Sequence, residues 1–551
     1  MKFTSCFLQG SALALLAGLG STFGLSNSKL VRDLHDAAMM GMDPDVVLHP
    51  EQFKAQMASM QADNPVAETF DMPIDHKGNN TGTYKHRFWI NEEDYKPGGP
   101  VFVFDCGEAA GQRYANNYLY NETNFFRQFT KKFHGIGIIF EHRYYGESTP
   151  FPITVDTPPE HFQYLNNDQA LADLPYFAKS FKREAFPDDD LRPTASPWIM
   201  VGGSYPGMRA AFTRDRYPET IYASWASSAP VQAQIDMAVY YEQVYRGLVE
   251  YGWGNCTKDI HAAYRYIDHQ LSRNDTAATI KKYFLGEGAE KTSNGDFTAA
   301  LIVAYAGWQS SGADGQVGRF CNWLETDPKT NKTAPAEGWA PTKGDKAMAE
   351  RFAAWPTLVE MVNANAMTNC KQADKSKPLE CKLDRPSEDP DFISWIWQYC
   401  SEWGYYQGIN FPQHAILSKY QTNRYNQEFC YRQFPTGVKS GYLPRAPQTH
   451  KTNRATKGWH MRPSNVYWSG GQFDPWKTLS PLSTESFAPR IEVSKEIPKC
   501  NVSTGPKKIF GYEIPNAQHV YDFRTYFAPG AVSRQLFSDA LEEWLPCFKK
   551  K

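Results

Sequence analysis

The sequence Val201-Gly202-Gly203-Ser204-Tyr205-Pro206-Gly207 joins an apolar run, residues 197–201, to a segment of helical character, residues 208–213. A serine between a buried strand and a helix, with glycines around it, is typical of a nucleophile held on a sharp turn. Glycine neighbours let the backbone close tightly because they carry no Cβ. The pattern therefore predicts that Ser204 projects above a sheet, although Pro206 stands where this motif has glycine.

Two downstream residues complete a catalytic set with this serine. A serine nucleophile needs a histidine to take its proton, and the histidine needs an acid to hold its tautomer. Asp474 follows an apolar run at 464–469, and His519 follows another at 508–514, so each lies just past a predicted strand. An Asp-Pro turn and a surface histidine are the ordinary alternatives. The chain order of serine, acid and histidine favours a triad of Ser204, Asp474 and His519.

His142 is a rival for the role of base. It precedes Ser204 in the chain, which is the wrong order for this arrangement. We therefore assign it a structural role, with Glu141 and Arg143 forming ion pairs that hold loops beneath the site.

Short apolar runs that alternate with helical segments make up the rest of the core. Runs at 101–104, 136–140 and 222–230 are continuous, as in strands buried on both faces, whereas 84–90 alternates as an antiparallel strand does. Strands that alternate with helices predict an α/β class with a mostly parallel sheet.

An oxyanion that forms at Ser204 needs hydrogen-bond donors. The backbone N–H of Tyr205 is one candidate, because the turn aims it at that position. The loop after the 101–104 strand supplies the second candidate, from Gly107 or Glu108. For Gly107 and Glu108 the alternative is an ordinary strand-to-helix loop without a catalytic role.

The composition is that of a globular protein. The chain has 551 residues, 41% hydrophobic and 21% charged, enough for one large domain with an insertion or for several average domains. Its net charge of −2 leaves no basic surface for nucleic acid, so we predict no nucleic-acid partner.

The N-terminus predicts secretion. Lys2 precedes an apolar run at 11–20 that is too short to span a membrane and is typical of a signal peptide, which we place at residues 1–23. No later run approaches twenty apolar residues, so we predict a secreted, extracellular protein without a membrane span; the alternative is a vacuolar or lysosomal lumen. The N-x-[ST] pattern predicts six glycosylation sites: Asn79, Asn121, Asn255, Asn274, Asn331 and Asn501.

The cysteines agree with an oxidising compartment. The chain has ten, and loss of Cys6 with the signal peptide leaves an odd number. Eight lie from Cys256 onward, which suffices for four bridges. Cys106 ends a predicted buried strand, so we expect it to be a free thiol.

The pattern changes in the middle of the chain. From 235 to 454 helical periodicity dominates, and six cysteines fall in this region. We predict a large, disulfide-stapled helical cap inserted into the core and covering the active site. The predicted division is a signal peptide at 1–23, an N-terminal segment at 24–65, a first core part at 66–234, the cap at 235–454 and a second core part at 455–551. The segment at 24–65 is either a pro-region or a segment that wraps around the core, and we expect short helices in it at 30–34 and 53–57.

Three motifs together resemble one peptidase family, that of lysosomal Pro-X carboxypeptidase, dipeptidyl peptidase II and the secreted fungal prolyl endoproteases. They are Gly202-Gly203-Ser204-Tyr205, Glu141-His142-Arg143-Tyr144-Tyr145-Gly146 and Gly471-Gln472-Phe473-Asp474-Pro475-Trp476. The likeness extends over roughly residues 70–544. It implies an α/β-hydrolase core with a helical cap, a serine-peptidase triad at Ser204, Asp474 and His519, and cleavage after proline. It implies no metal and no organic cofactor.

The family also places a pocket for proline between core and cap. Proline lacks an N–H and has a fixed φ, so its pocket should be compact and apolar. We expect Trp476 to line this pocket, because Asp474 fixes its position near the site. For most of the cap tryptophans, which include Trp395, Trp397 and Trp403, core packing is the expectation.

The predicted partners are peptide substrates, and a homodimer is one option for assembly. The resemblance leaves exo- and endopeptidase action open. Two other functions are alternatives: a secreted ester hydrolase or lipase with the same triad, and a non-enzymatic binding module on a hydrolase scaffold. The motifs and the large cap argue against the first, and the intact triad argues against the second.

Overall fold

The computed structural model describes residues 29–61 and 65–550, so the predicted signal peptide lies outside the described residues. Within those ranges the strands are β1 (Glu68–Pro73), β2 (Thr83–Asn91), β3 (Val101–Asp105), β4 (Ile136–Phe140), β5 (Trp198–Gly203), β6 (Ile221–Ser227), β7 (Gln234–Asp236), β8 (Gly404–Tyr406), β9 (Val466–Gly471), β10 (Glu492–Ser494) and β11 (Lys508–Ile514).

The α-helices of the same ranges are α1 (Lys29–Met39), α2 (Pro50–Gln61), α3 (Ala115–Tyr120), α4 (Phe125–Lys132), α5 (Asn167–Ala178), α6 (Tyr205–Arg216), α7 (Val239–Glu250), α8 (Gly254–Leu271), α9 (Asn274–Leu285), α10 (Asn294–Leu301), α11 (Trp308–Ser311), α12 (Gln316–Glu325), α13 (Ala340–Lys343), α14 (Asp345–Ala353), α15 (Leu358–Ala366), α16 (Pro390–Gln398), α17 (Asn423–Gln433), α18 (Gly437–Ser440), α19 (Thr449–Thr456) and α20 (Gly530–Trp544). None of these helices combines the length and the apolarity that a bilayer crossing needs.

One large sheet organises the core. In the described chain it has nine strands in the order β1-β2-β4-β3-β5-β6-β9-β11-β10. The pairs β1–β2 and β2–β4 are antiparallel, and the remaining pairs are parallel. Every residue of β3, β4 and β6 is buried, as expected of strands covered on both faces. The predicted α/β class with a mostly parallel sheet is confirmed.

The register of the parallel strands brings the candidate site together at one edge of the sheet. Asp105 at the end of β3 pairs with Phe140 at the end of β4, and Gly203 at the end of β5 pairs with Ser227 at the end of β6. Gly471 at the end of β9 is aligned with the end of β11 in the same way. The loops that follow these strands therefore emerge side by side, which is where α/β folds place their sites.

The region between β6 and β9 is mostly helical and holds α7–α19, with only the two-stranded pair β7–β8 as sheet. Three disulfides join residues of this region: Cys256–Cys321, Cys370–Cys381 and Cys400–Cys430. A fourth, Cys500–Cys547, ties the segment before β11 to the C-terminal end. Cys106 is the free, buried cysteine of the described ranges, and burial raises the pKa of its thiol. The predicted four bridges with Cys106 unpaired are confirmed.

A buried acidic pair in this helical region links stability to pH. The side chain of Glu325 is 1% exposed, and burial, together with the charge of Asp259, raises its pKa to about 9 from the usual 4.5. The carboxyl is thus protonated in the folded protein at pH values where the unfolded chain ionises it. Its contribution to the free energy of unfolding is therefore fully present below pH 4.5 and is lost as pH rises toward 9.

Glu325→Gln is expected to remove this dependence. The difference in the free energy of unfolding between pH 4.5 and pH 7 should shrink by about 3 kcal/mol, as measured by denaturant unfolding at the two pH values. Glu337→Gln, at an exposed position of the same region, is the matched control and should leave the difference unchanged. A Glu325→Gln protein with the parent's pH dependence would show that this carboxyl ionises normally.

Candidate active site

Ser204 occupies a strained turn between β5 and α6. Its φ of 67° and ψ of −130° lie outside the regions that side-chain-bearing residues prefer, and such strain is characteristic of functional sites. Its N–H donates to the carbonyl of Ser227 at 2.9 Å. A Cβ on Gly202 would lie 2.3 Å from the carbonyl oxygen of Pro206, and one on Gly207 would lie 2.5 Å from that of Ser227. Glycine is therefore required on both sides of the turn.

The proline that departs from the usual motif packs against the loop after β3. A Cβ on Gly107 would meet Cγ of Pro206 at 2.3 Å, and Gly107 has a φ of 57°. Both its left-handed backbone and the proline ring therefore exclude a side chain at position 107. Pro206 is accommodated because its neighbour across the site is glycine.

His519 and Asp474 form a buried pair. The His519 Nδ1 atom lies 2.9 Å from Oδ1 and 3.0 Å from Oδ2 of Asp474, and the two side chains are 2% and 0% exposed. Asp474 Oδ1 also accepts the backbone N–H of Trp476 at 2.9 Å, and the backbone N–H of His519 donates to the carbonyl of Gln309. With Nδ1 engaged by the carboxylate, Nε2 is the ring atom available for proton transfer.

Ser204 and His519 share one cavity. Ser204, Tyr205, Glu108, Trp476 and His519 all line it, while Asp474 lies behind His519. No hydrogen bond joins Ser204 to His519 among the contacts of the described residues, and such contacts are often long until substrate binds.

The two loop candidates for the oxyanion differ in their backbone contacts. The N–H of Gly107 donates to Oδ1 of Asp105 at 2.8 Å, and Asp105 is held in turn by Nε of Arg209 at 2.7 Å. That N–H is consequently engaged within its own turn. Glu108 lines the cavity, and burial, with Asp105 and Asp36 nearby, raises the pKa of its carboxyl to about 7.

Tyr205 is fixed from below by a chain of buried polar groups. Its hydroxyl lies 3.0 Å from Nε2 of His142 and accepts from Nε2 of Gln398 at 2.7 Å. The Gln398 side chain accepts from the hydroxyl of Tyr145, and His142 Nδ1 lies 2.6 Å from the carbonyl of Arg143. His142 thus contacts Tyr205, and among the described residues no hydrogen bond joins it to Ser204.

Ion pairs hold the loop after β4 in place. Glu141 accepts from Arg87 at 2.8 and 2.9 Å and from the N–H of Gly111 at 2.8 Å. Arg143 donates to Asp173 at 2.5 and 2.7 Å. Glu141 therefore ties the loop after β3 to the loop after β4 beneath the site.

Aromatic side chains form one wall of the cavity. Trp476 lies beside Tyr405, with ring centroids 5.2 Å apart, and its Nε1 donates to Oε1 of Gln309 at 3.1 Å. Trp395 also lines the cavity, and its ring lies 5.4 Å from that of Tyr205. Trp397 instead stacks on Phe162 within the core. Trp395 and Tyr405 line this wall together with Trp476, whereas from the sequence we singled out Trp476.

Helix α1 lies across the same cavity. Five of the cavity's lining residues come from this helix: Val31, Arg32, His35, Asp36 and Met39. The ring centroid of His35 is 5.9 Å from that of His519. No sequence signal connected the segment at 24–65 with Ser204 or His519.

The glycosylation sites remain predictions. Five of the six asparagines are exposed, and Asn255 is half-buried. Asn79 is exposed beside the Asp75 carboxylate that accepts its N–H, and Asn255 is half-buried beside Cys256, whose N–H it accepts. The other four are Asn121, Asn274, Asn331 and Asn501.

The profile of the family described as serine carboxypeptidase S28 matches residues 73–491. This chain belongs to that family. The match includes the β5–α6 turn and Asp474 and ends before His519. The family carries serine-peptidase chemistry, so this S28 chain is a serine peptidase and a hydrolase.

Individual relatives are distant. A probable extracellular serine carboxypeptidase of Arthroderma benhamiae is 27% identical over 69% of this chain and 56% of its own length. Lysosomal Pro-X carboxypeptidase of Pongo abelii is 32% identical over 29% of this chain and 31% of its own length. An acetylester hydrolase structure from Corynebacterium glutamicum covers 87% of this S28 chain and 97% of its own chain, at 8% identity and a TM-score of 0.34.

Proposed function

We propose that this chain is a secreted serine peptidase that cleaves peptide bonds after proline through a triad of Ser204, His519 and Asp474. The observation that carries the proposal is the buried contact between Asp474 and Nδ1 of His519, in a cavity that Ser204 also lines. The division into a core at 66–234 and 455–551 and a cap at 235–454 is part of the proposal.

The proposed reaction proceeds through an acyl-enzyme. Ser204 Oγ attacks the scissile carbonyl while His519 Nε2 takes its proton, and Asp474 stabilises the imidazolium that forms. His519 then gives the proton to the leaving amine, so that the C–N bond breaks and the acyl group stays on Ser204. Water, deprotonated by His519, attacks this ester; His519 then returns the proton to Ser204 Oγ as the C–O bond breaks and the acid product leaves.

The oxyanion is assigned to the N–H groups of Tyr205 and Glu108. Tyr205 is the first residue of α6, so its N–H has no partner within the helix. The N–H of Gly107 is used by Asp105, which favours Glu108 over Gly107 as the second donor. Each donor is worth about 3 kcal/mol of transition-state stabilisation.

We assign recognition of the substrate proline before the cleaved bond to the aromatic wall of the cavity. Trp476, Tyr405 and Trp395 offer the flat apolar surfaces that a pyrrolidine ring can contact. The relative named Pro-X carboxypeptidase supports this assignment, although its alignment covers under a third of either chain. Secretion is supported by the relative named as extracellular, and a lysosomal or vacuolar lumen by the relative named as lysosomal.

A labelling experiment and a digest test the proposal together. A fluorophosphonate should modify Ser204, as located by peptide mapping, and a peptide library analysed by mass spectrometry should be cut after proline. The cut positions will also show which peptide terminus, if either, is recognised. An unlabelled protein would support the binding-module alternative, and turnover of p-nitrophenyl esters without any peptide cleavage would support the esterase.

Trp476→Ala is expected to lower kcat/KM for X-Pro-Y peptides about 100-fold and to change turnover of a small activated ester little. The ester needs the triad and the oxyanion donors, whereas the peptide also needs the wall. The alanine retains the backbone N–H that Asp474 accepts, so the triad should be preserved. Parallel kinetics on both substrates measure the split.

Trp397→Ala is the matched control, because Trp397 stacks in the core and does not line the cavity. Any loss in this variant should be equal for peptide and ester, since it would report altered folding. Equal losses in Trp476→Ala would remove Trp476 from the pocket.

A further inference from the structure

The N-terminal segment leaves little space over the catalytic residues. With α1 in place the cavity has a volume of about 110 Å³, whereas pockets that bind ligands of drug size measure roughly 300–1,000 Å³. A peptide with residues on both sides of its scissile bond needs more space than the cavity offers while α1 lines it. Val31, His35 and Met39 line the cavity from successive turns of α1, so one face of this helix narrows the space over Ser204 and His519.

Specific contacts hold α1 in this position. Arg32 donates to both carboxylate oxygens of Asp389 at 2.6 and 3.1 Å, and Asp36 accepts from Arg113 at 2.7 Å and from the hydroxyl of Tyr114 at 3.1 Å. Leu30, Leu34 and Ala37 of the same helix are buried in the apolar core. The surface that α1 covers, which we call the groove, therefore binds this helix through ion pairs as well as through apolar burial.

One contact within the groove is unfavourable. Nδ1 of His35 is buried and has no hydrogen-bond partner among the described residues. Burial and the nearby His519 and Arg524 hold the pKa of His35 well below its usual value. A buried polar atom without a partner costs about 1–3 kcal/mol, and this cost makes the helix easier to displace.

We propose that the groove over the triad is an inhibitor-binding site whose ligand is the chain's own residues 29–61, and that peptides are cleaved only when this segment leaves the groove. The inference rests on the proposed peptidase function. The segment competes with substrate for one surface, and Arg32 and Asp36 anchor it through their ion pairs with Asp389 and Arg113.

Cutting the folded chain tests the proposal without asking the remainder to fold alone. A recognition sequence for a site-specific protease is inserted between residues 61 and 65, and the purified full-length protein is assayed before and after cutting. The cut protein, separated from the segment by gel filtration, should show at least about tenfold higher kcat/KM on peptides, because a competent form populated at one part in ten lowers kcat/KM by that factor.

The released segment should then inhibit in trans. A synthetic peptide of residues 29–61 is expected to raise KM of the cut enzyme and leave kcat unchanged, since it competes with substrate. In the uncut chain the covalent link gives the segment an effective concentration in the millimolar range, so the free peptide is titrated up to about 1 mM. The same peptide with Arg32→Ala should inhibit more weakly, and the one with Lys54→Ala, an exposed position on α2, should inhibit like the parent.

Four results distinguish failure of the inference from failure of the proposed function. Equal peptide turnover by the uncut and cut forms would overturn the inference and leave the peptidase assignment intact, and so would full activity of a cut form that still retains the segment. A cut form that retains the segment and stays inactive should be activated by Arg32→Ala, in support of the inference. If neither form cleaves any peptide while fluorophosphonate labels Ser204, the proposed function itself fails.

Discussion

Ser204→Ala is expected to lower kcat for peptide hydrolysis by about 10⁶-fold while the protein stays folded. The hydroxyl is the only part of the side chain that the reaction uses, and loss of a triad serine removes nearly all acceleration except that of binding and the oxyanion donors. Alanine keeps the Cβ, so the strain at a φ of 67° is the same in both proteins. The midpoint of thermal unfolding should therefore hardly change.

Hydrolysis of a proline-containing peptide and thermal unfolding, measured on the same preparations, check this expectation. Ser272→Ala, at an exposed position after α8, is the control and should match the parent in both assays. Turnover near that of the parent in Ser204→Ala would exclude Ser204 as the nucleophile. Loss of folding would instead show that the hydroxyl stabilises the turn.

Asp474→Asn is expected to lower kcat about 10⁴-fold. Asp474 accepts from His519 Nδ1 and from the Trp476 N–H with the same oxygen. An asparagine can keep the Trp476 contact, but its amide group then favours the tautomer of His519 that carries its proton on Nε2. That tautomer cannot accept the proton of Ser204, so geometry survives and base catalysis is lost.

A second buried aspartate supplies the matched control. Asp522 lies shortly after His519 in the chain and accepts from the hydroxyls of Ser227, Ser469 and Ser533 at 2.7, 2.5 and 3.1 Å. No hydrogen bond or ion pair joins it to His519 among the described residues, so Asp522→Asn should retain most activity. A severe loss in Asp522→Asn combined with a mild one in Asp474→Asn would transfer the role of acid to Asp522.

The placement of the three proposed triad residues at one edge of the sheet could be predicted because each residue follows a strong strand pattern. Parallel strands align their carboxyl ends, so a serine, an aspartate and a histidine just past three strands are placed at one edge without knowledge of side-chain contacts. The edge strand β1 escaped prediction because its side chains alternate only partly between buried and exposed. The short strand β10 is mostly exposed and carries no apolar pattern.

The contacts of the site could not be predicted from the sequence. Gly107 and Glu108 were equal candidates for the oxyanion, and only the structure shows that Asp105 takes the Gly107 N–H. That arrangement depends on Arg209, which holds Asp105 across 104 positions of sequence. The position of α1 over the triad depends likewise on Asp389 and Arg113, which are remote from it in the chain. Local patterns predict elements, but not which remote surface an element contacts.

The long interval between β6 and β9 has a consequence for biosynthesis. The indole N–H of Trp225 on β6 donates a hydrogen bond to the hydroxyl of Ser469 on β9, 244 positions later in the sequence. Asp474 and His519 both follow Ser469 in the chain. While the ribosome is still making the helical region, the nascent chain holds Ser204 on an incomplete sheet and lacks both residues proposed as its acid and base. Under the proposed mechanism, such a chain stays inactive until the final part of the polypeptide emerges and completes the sheet.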